Sequence, residues 1–407
     1  MTINPSQESP VRVLLVSHRS RLYGAERSLS DLAYGLLSRD NIRPLVLLPS
    51  SGPLADQLKA RGIPYKIIPK YQPWISASFF RRVMLLLPRW LWNRYSLYAG
   101  MRVIRKKRIS LVYVNTISSP YGYYLARKSS LPFVWHVREF VEEDMQHKFD
   151  FGFGHVCKAL GKANAVIFNS KAVADKYKLC AKPKSSSVIY NGFDFNGIRP
   201  REERLPSLDI GIKLVIAGSI QPGKGQIDAI MASSVLIDKG YKLQLDVIGK
   251  GKKDYERYLR RRIRSMGIEN NVSWIGRVKD VSGYFCDADA VLVCSRSEAF
   301  GRVSVEALAL GVPVIASRSG GSIEVMIENE IGLLYEPGDF NDLADKIQEL
   351  INDRERYLRF SRRAASSVRE RFPMDMYVEN IESALLDHAI THIPAPTDTA
   401  KTGQSAA

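Results

Sequence analysis

Short apolar runs alternate with helix-period stretches along almost the whole chain. Residues 11–17, 45–48, 65–68, 111–115, 133–136, 165–169 and 188–190 read as strands. Between the first two, the pattern predicts a helix, Gly24–Leu37, with Leu29, Leu32, Ala33 and Leu36 on one face. Strands apolar at consecutive positions are those of a parallel sheet covered on both sides. A polar linker, residues 195–209, carries Pro200, Pro206 and the charged cluster Arg201-Glu202-Glu203-Arg204. The alternation restarts with strands at 213–217, 243–248, 272–275, 290–294 and 312–316, and helical stretches at 341–370 and 374–388 follow without further strands. The pattern predicts an α/β protein with two Rossmann-like, doubly wound domains, residues 1–195 and 210–372. The carboxyl ends of their sheets would face each other across a cleft. A closing helix takes up residues 373–392, and the polar tail 393–407 is expected to be disordered.

The densest chemistry follows the run 290–294. Ser295 to Gly321 delivers a carboxylate, Glu298, a glycine hinge, Gly301, and a small-residue helix carrying a second carboxylate, Glu306. A loop running from a strand into a helix N-terminus offers free N–H groups and a favourable dipole to phosphate. Two acids beside it suit hydroxyl groups, which donate charge-assisted hydrogen bonds to carboxylates. The unit therefore suits a ligand with diphosphate and polyol parts, a nucleotide sugar. A second loop, residues 217–226, carries Gly218 and Gly223-Lys224 in most of a P-loop pattern. Gly225 stands where a P-loop needs Ser or Thr for magnesium, which argues against nucleotide hydrolysis and leaves Lys224 to neutralise a diphosphate.

The run EAFGRVSVEALALGVPVIAS, beginning at Glu298, resembles the donor-site signature of glycosyltransferase family 4, retaining enzymes of the GT-B fold. Residues 332–339 resemble that family as well, with weaker likeness at Lys224 and at 190–194. The resemblance implies that Glu298 holds sugar hydroxyls, that Glu306 accepts from ribose hydroxyls, and that Phe300, Gly301, Arg302 and Val303 line the diphosphate. It implies that Lys224 stabilises the leaving group and that His136, at a strand end, meets the transferred sugar. The family's phosphate loop usually begins glycine-arginine, but Ser219 stands in the arginine's place. Either Arg277 or Arg302 supplies that charge, or Ser219 hydrogen-bonds a phosphate oxygen alone. Gly24 corresponds to a glycine-rich entry into the first domain. It either lets the backbone approach a donor phosphate or the acceptor, or only starts the helix. In this family the final helix crosses back onto the first domain.

Charge adds a second theme. The formal net charge is +17, and between Asp56 and Glu139 lie sixteen Lys and Arg with no Asp or Glu. Within that window, residues 79–108 mix Arg with Trp, Leu and Tyr. No apolar run approaches the roughly twenty residues that a spanning helix needs. The segment suits the plane of an anionic membrane surface, its alternatives being a solvated basic face or a nucleic-acid contact. No nucleic-acid-binding motif accompanies it. Cys157, Cys180, Cys286 and Cys294 lack metal-ligand spacing and fit a reducing compartment without a disulfide framework. The six histidines form no paired-ligand pattern, and Asp287-Ala288-Asp289 precedes a strand at its entry end, so neither metal nor cofactor is expected beyond the co-substrate. The N-terminus has no apolar segment of a secretory signal. These features point to a cytoplasmic glycosyltransferase, peripheral at the inner face of the membrane, acting on a lipid-linked or cell-surface glycan. A non-catalytic nucleotide-sugar-binding protein and a GT-B sugar-nucleotide epimerase are the competing expectations.

Overall fold

The structure, a computed structural model, describes residues 9–69, 71–76, 79–326 and 330–389; the tail 393–407 and the first residues of the N-terminus lie outside them. The first half builds one parallel sheet from β1 (Val11–Val16), β2 (Ile42–Leu48), β3 (Tyr65–Ile67), β5 (Leu111–Val114), β6 (Phe133–Val137), β8 (Ala165–Phe168) and β9 (Ser186–Val188). Their spatial order is β3-β2-β1-β5-β6-β8-β9. A short antiparallel pair, β4 (Ile75–Ser76) with β7 (Lys148–Phe149), stands apart from it. Side chains alternate between the faces of the sheet. Leu14, Val16, Val112 and Trp135 enter one apolar layer, and Val13, Leu15, Leu111 and Val134 the other.

The second half repeats the plan with β10 (Ile212–Ala217), β11 (Leu243–Ile248), β12 (Val272–Gly276), β13 (Ala290–Val293), β14 (Val314–Ser317) and β15 (Gly332–Tyr335), in the order β12-β11-β10-β13-β14-β15. The sequence pattern misses β15, which is four residues long, opens with glycine and pairs with β14 from Val314↔Gly332 onward. β14 also begins two residues later than the apolar run, because Pro313 cannot donate to the ladder. Its carbonyl instead accepts from Val291 N at 3.0 Å. The long C-terminal helical stretch is two helices, Phe340–Asn352 and Arg354–Arg371. Asp353 breaks it by capping Arg356 N at 2.9 Å.

The chain crosses between domains twice, side by side: Phe193 N donates to Phe372 O at 2.9 Å and Met374 N to Phe193 O at 3.1 Å. The last helix, Met374–Leu386, lies on the first domain, with Val378, Ile381 and Leu385 buried among Leu29, Leu32 and Leu36. In the basic window the helix Phe79–Lys107 runs 29 residues with Pro88 inside it. Among the described residues no helix is long and apolar enough to cross a membrane.

The cysteine expectation is corrected. Cys157 and Cys180 are disulfide-bonded, joining the helices Phe153–Leu160 and Lys171–Ala181, while Cys286 and Cys294 are free. Separated by 23 residues, the pair shows no motif in the sequence, and only the packing of the two helices brings the sulfurs together. Thiol titration in denaturant without reductant should count two thiols, rising to four after reduction. Four thiols before reduction would remove the bond.

Candidate active site

Two loops at the carboxyl ends of adjacent strands, β10 and β13, form the core of the site. The loop after β10 folds through a tight turn, Pro222–Lys224, and ends on Gly225 at φ 63. A Cβ at Gly225 would lie 1.9 Å from the carbonyl oxygen of Cys294, at the end of β13. Only glycine permits this approach, and the approach carries Lys224 to the neighbouring loop. Its Nζ donates to Glu298 Oε2 at 2.7 Å and to Ser295 Oγ at 3.3 Å. Ser295 Oγ donates to the same Oε2 at 2.7 Å. Burial alone would raise the Glu298 carboxyl, but the Lys224 ammonium, Ser295 and the Gly301 N–H outweigh it and hold it below the usual range. Lys224 mirrors this: burial lowers it, while the Glu298 charge and hydrogen bond win and raise it.

Behind Glu298 the chain is pinned from below. Gly321 N donates to Glu298 O at 2.7 Å, and a Cβ at Gly320 (φ 52) would lie 2.2 Å from that carbonyl. Gly301, at φ 102, then starts the helix Arg302–Ala309 with no side-chain cap. A helix start of this kind leaves N–H groups for an anion.

The first domain closes over these loops. Gln221 Nε2 donates to Asp144 O at 3.5 Å, and a Cβ on Gly223 would lie 3.1 Å from that oxygen. The Asp144 carboxylate accepts from Val141 N at 2.6 Å and from Phe140 N at 3.1 Å. Burial raises its pKa against those bonds and the nearby Lys224 charge. Val141 is held at φ 74, a strained value for a β-branched residue. Arg302 Nη1 reaches across to Ser28 Oγ at 2.8 Å, and Arg277 Nη2 to Leu22 O at 3.4 Å. Glu324 accepts from Lys171 N and Ala172 N, both at 2.9 Å, so an acid of the second domain caps a helix of the first.

The sequence-derived residues separate into groups. Lys224, Glu298 and Gly301 meet at one point, with Val303 in the first turn of the helix. Glu306 sits a turn further on, 3.6 Å from Arg302. Gly24 faces them across the cleft, where an added Cβ would lie 3.4 Å from Arg302 Cδ. Arg277 and Arg302 are engaged with the first domain. Arg302 also covers the Phe193 ring at 4.5 Å, and Arg277 the Tyr23 ring at 5.7 Å. Ser219 contributes its carbonyl to Gln226 Nε2 at 3.0 Å. The Phe300 side chain is buried, stacked on Phe193 at 6.2 Å and edge-on to Phe372 at 5.3 Å, so it supports the loop from within.

His136 stands apart from these groups. It lies within β6, fully buried, with Nδ1 2.6 Å from Tyr113 Oη and its ring 6.5 Å from Tyr377. Burial, then the Arg138 charge, holds it neutral, well below the ordinary histidine value. Arg138 and Glu139, the two residues that follow the strand, are buried as well. Arg138 donates to Asn115 Oδ1 at 3.0 Å and to Tyr377 Oη at 2.6 Å, tying strand, loop and final helix together. Glu139 accepts from Thr116 Oγ1, from Ser118 Oγ at 3.0 Å and from its neighbour's backbone, Arg138 N, at 3.0 Å. Burial first, then the Asp144 charge, pushes its carboxyl up to about 8. The sequence reasoning missed Ser295, Asp144 and Glu139. Ser295 and Glu139 each lie two residues past a strand and Asp144 in the short helix Glu142–Met145, places that many polar residues share when the fold is not known. Among the described residues no group of three or more His, Cys, Asp or Glu is arranged to hold a metal.

Comparison with known proteins bears on family and fold. Residues 203–367 match the family model described as glycosyl transferases group 1, and residues 23–196 the model described as Glycosyltransferase Family 4. The capsular polysaccharide biosynthesis glycosyltransferase CapM of Staphylococcus aureus is 27% identical over 222 residues, 54% of this chain and 57% of that protein. The N-acetyl-alpha-D-glucosaminyl L-malate synthase of Bacillus anthracis is 34% identical over 125 residues, 31% of this chain and 33% of that protein. The chain thus spans little more than half the length of one relative and a third of the other. Among solved structures, HepE of Anabaena in complex with UDP and glucose superposes with a TM-score of 0.74 at 22% identity. That match covers 93% of this chain and 100% of the other.

Glu139 makes a pH prediction. Its folded pKa lies above the unfolded value, so between about 4.5 and 8 the native state keeps a proton that the unfolded chain releases. Its contribution is present at acid pH and is lost as pH rises through that window. Denaturant melts of Glu139→Gln should gain on wild type by about 1 kcal/mol or more between the acid and alkaline ends. A stability difference independent of pH would refute the raised carboxyl.

Proposed function

This chain belongs to glycosyltransferase family 4 and has its GT-B architecture, and we propose that it moves a sugar from a nucleoside-diphosphate donor to an acceptor hydroxyl with retention at the anomeric carbon. One observation carries this reading: Lys224, Glu298 and the start of the helix at Gly301 converge at the floor of the cleft. A donor's diphosphate would lie between the ammonium and the helix N–H groups, where negative charge builds as the sugar leaves. Preorganised donors aimed at developing charge are the dominant kind of catalytic contribution. Glu298 would accept from sugar hydroxyls with the lone pairs that Lys224 and Ser295 do not use, and Glu306 would accept from the ribose. The acceptor oxygen bonds to the anomeric carbon as the bond to the diphosphate oxygen breaks. The acceptor's proton passes to that departing oxygen, so no further base is required. In this reading Lys224 and backbone N–H groups meet the leaving charge without a metal.

The acceptor side follows from the basic half. The helix Phe79–Lys107 exposes Leu87 and Tyr95, each at 65%, and Trp90 at 54%, in a stretch of chain without one acid. Aromatic and aliphatic groups interspersed with Arg suit the interfacial plane of an anionic bilayer. We place the protein at the inner face of the membrane, on a lipid-linked or growing cell-surface glycan. The capsular polysaccharide relative supports that acceptor class.

Glu298→Gln should lower donor turnover by about 100-fold or more with an unchanged melting curve, while wild type keeps its rate in EDTA. Near-normal turnover in the variant would overturn the site, and a rate restored only by divalent ions would overturn the metal-free step. Co-sedimentation with vesicles should require anionic lipid and weaken between about 50 and 500 mM salt. Binding indifferent to both would remove the membrane assignment.

A further inference from the structure

The helix Phe79–Lys107 covers a cavity that the transfer chemistry does not use. It lies between that helix and Tyr121–Lys128, has a volume of about 480 Å³, and is lined mainly by apolar groups. Leu86, Leu97 and Met101 form one wall, Tyr124 the opposite one, and Trp74 and Phe151 also line it. This volume falls in the range of small-molecule pockets, about 300–1,000 Å³. Three cations line it as well. Arg89 is neutralised by the buried Asp150. Arg94 lies over the Trp90 ring at 5.4 Å, and neither it nor Lys128 has an ion-pair partner among the described residues. Both are exposed, so they sit at the rim while the apolar groups sit within.

The cavity is continuous with two other features. Outward, Trp90 and Tyr98 belong both to its lining and to the exposed aromatic face of the long helix. Inward, only one loop separates it from the cleft. Trp74 Nε1 donates to Ile117 O at 2.6 Å and Trp74 N to Ser118 O at 3.2 Å. On that same loop Ser118 Oγ donates to Glu139, and Pro120 lines the cavity. An apolar pocket with unpaired cations at its rim, open to a bilayer-facing surface and backed on the cleft, suits an amphiphile with an anionic head.

We propose that this cavity holds the apolar chain of a lipid phosphate drawn from the bilayer, with Arg94 and Lys128 at its phosphate, and that this lipid anchors the acceptor. The inference rests on the membrane-facing reading of the long helix and names the ligand of that face. Burial of the apolar chain would drive such binding, so chain length should dominate affinity.

Farnesyl diphosphate is the probe, with inorganic diphosphate as the headgroup control and UDP as an independent donor-side ligand. Wild type should bind farnesyl diphosphate at least about tenfold more tightly than inorganic diphosphate. Leu97→Trp, which fills the cavity, should erase that advantage while leaving stabilisation by UDP unchanged. Equal binding of the two diphosphates, or an undiminished farnesyl advantage in Leu97→Trp, overturns the proposal. Loss of UDP stabilisation in wild type would instead count against the donor site, separating the two readings. Should Leu97→Trp fail to show a folding transition, a photoreactive farnesyl diphosphate on wild type decides. Label on residues 86–101 or 120–128 supports the cavity, and label confined to 218–225 refutes it.

Discussion

The site depends on one half-buried ion pair held between two loops. Lys224 and Glu298 belong to loops after different strands, and each favours the charged form of the other. Burial pushes both toward neutrality, and their mutual attraction reverses it. The pair forms because Gly225 lets the first loop lie against the carbonyl of Cys294. Gly320 and Gly321 fix the other loop from behind. Removing one partner of such a pair leaves a charge without compensation, so pairing and loop geometry are a single constraint.

That constraint extends across the cleft. The residues 140–145 touch the Lys224 loop through Asp144, and Val141 carries backbone strain beside it. Strain in a buried segment persists only where its surroundings overdetermine it; here Asp144 holds two backbone N–H groups at that turn. Arg277, Arg302 and Glu324 bind backbone or hydroxyl groups of the opposite domain. These contacts tie both sides of the crevice together.

The two halves divide the work by charge. In the second domain, Lys224 and Glu298 pair beside the helix start at Gly301, and Glu306 lies a turn further on. The first concentrates cations on a helix that also exposes Leu87, Trp90 and Tyr95. Cations on such a helix attract an anionic surface, and its aromatic groups suit the depth at which headgroups meet chains. The loop 115–120 lies between that helix and the cleft, so its short polar residues serve Glu139 on one side while Pro120 walls the apolar cavity on the other.

Apolar periodicity in the sequence determined the parallel sheets and their two-domain order, because a strand buried on both faces must be apolar at consecutive positions. It also determined the pairing of Glu298 with a phosphate-suited helix start, since those groups are local to one strand–loop–helix unit. The four-residue β15, the Cys157–Cys180 bond and the partnership of Lys224 with Glu298 depend on residues far apart in the chain, and only tertiary packing decided them. His136 shows the limit most clearly. Its place in β6 was legible, but its full burial against Tyr113 and Tyr377 was not, since both come from distant parts of the chain. Arg138 donates to those same two tyrosines while Glu139 accepts from Thr116 and Ser118, pairings that link residues far apart in the chain and that only the fold could decide.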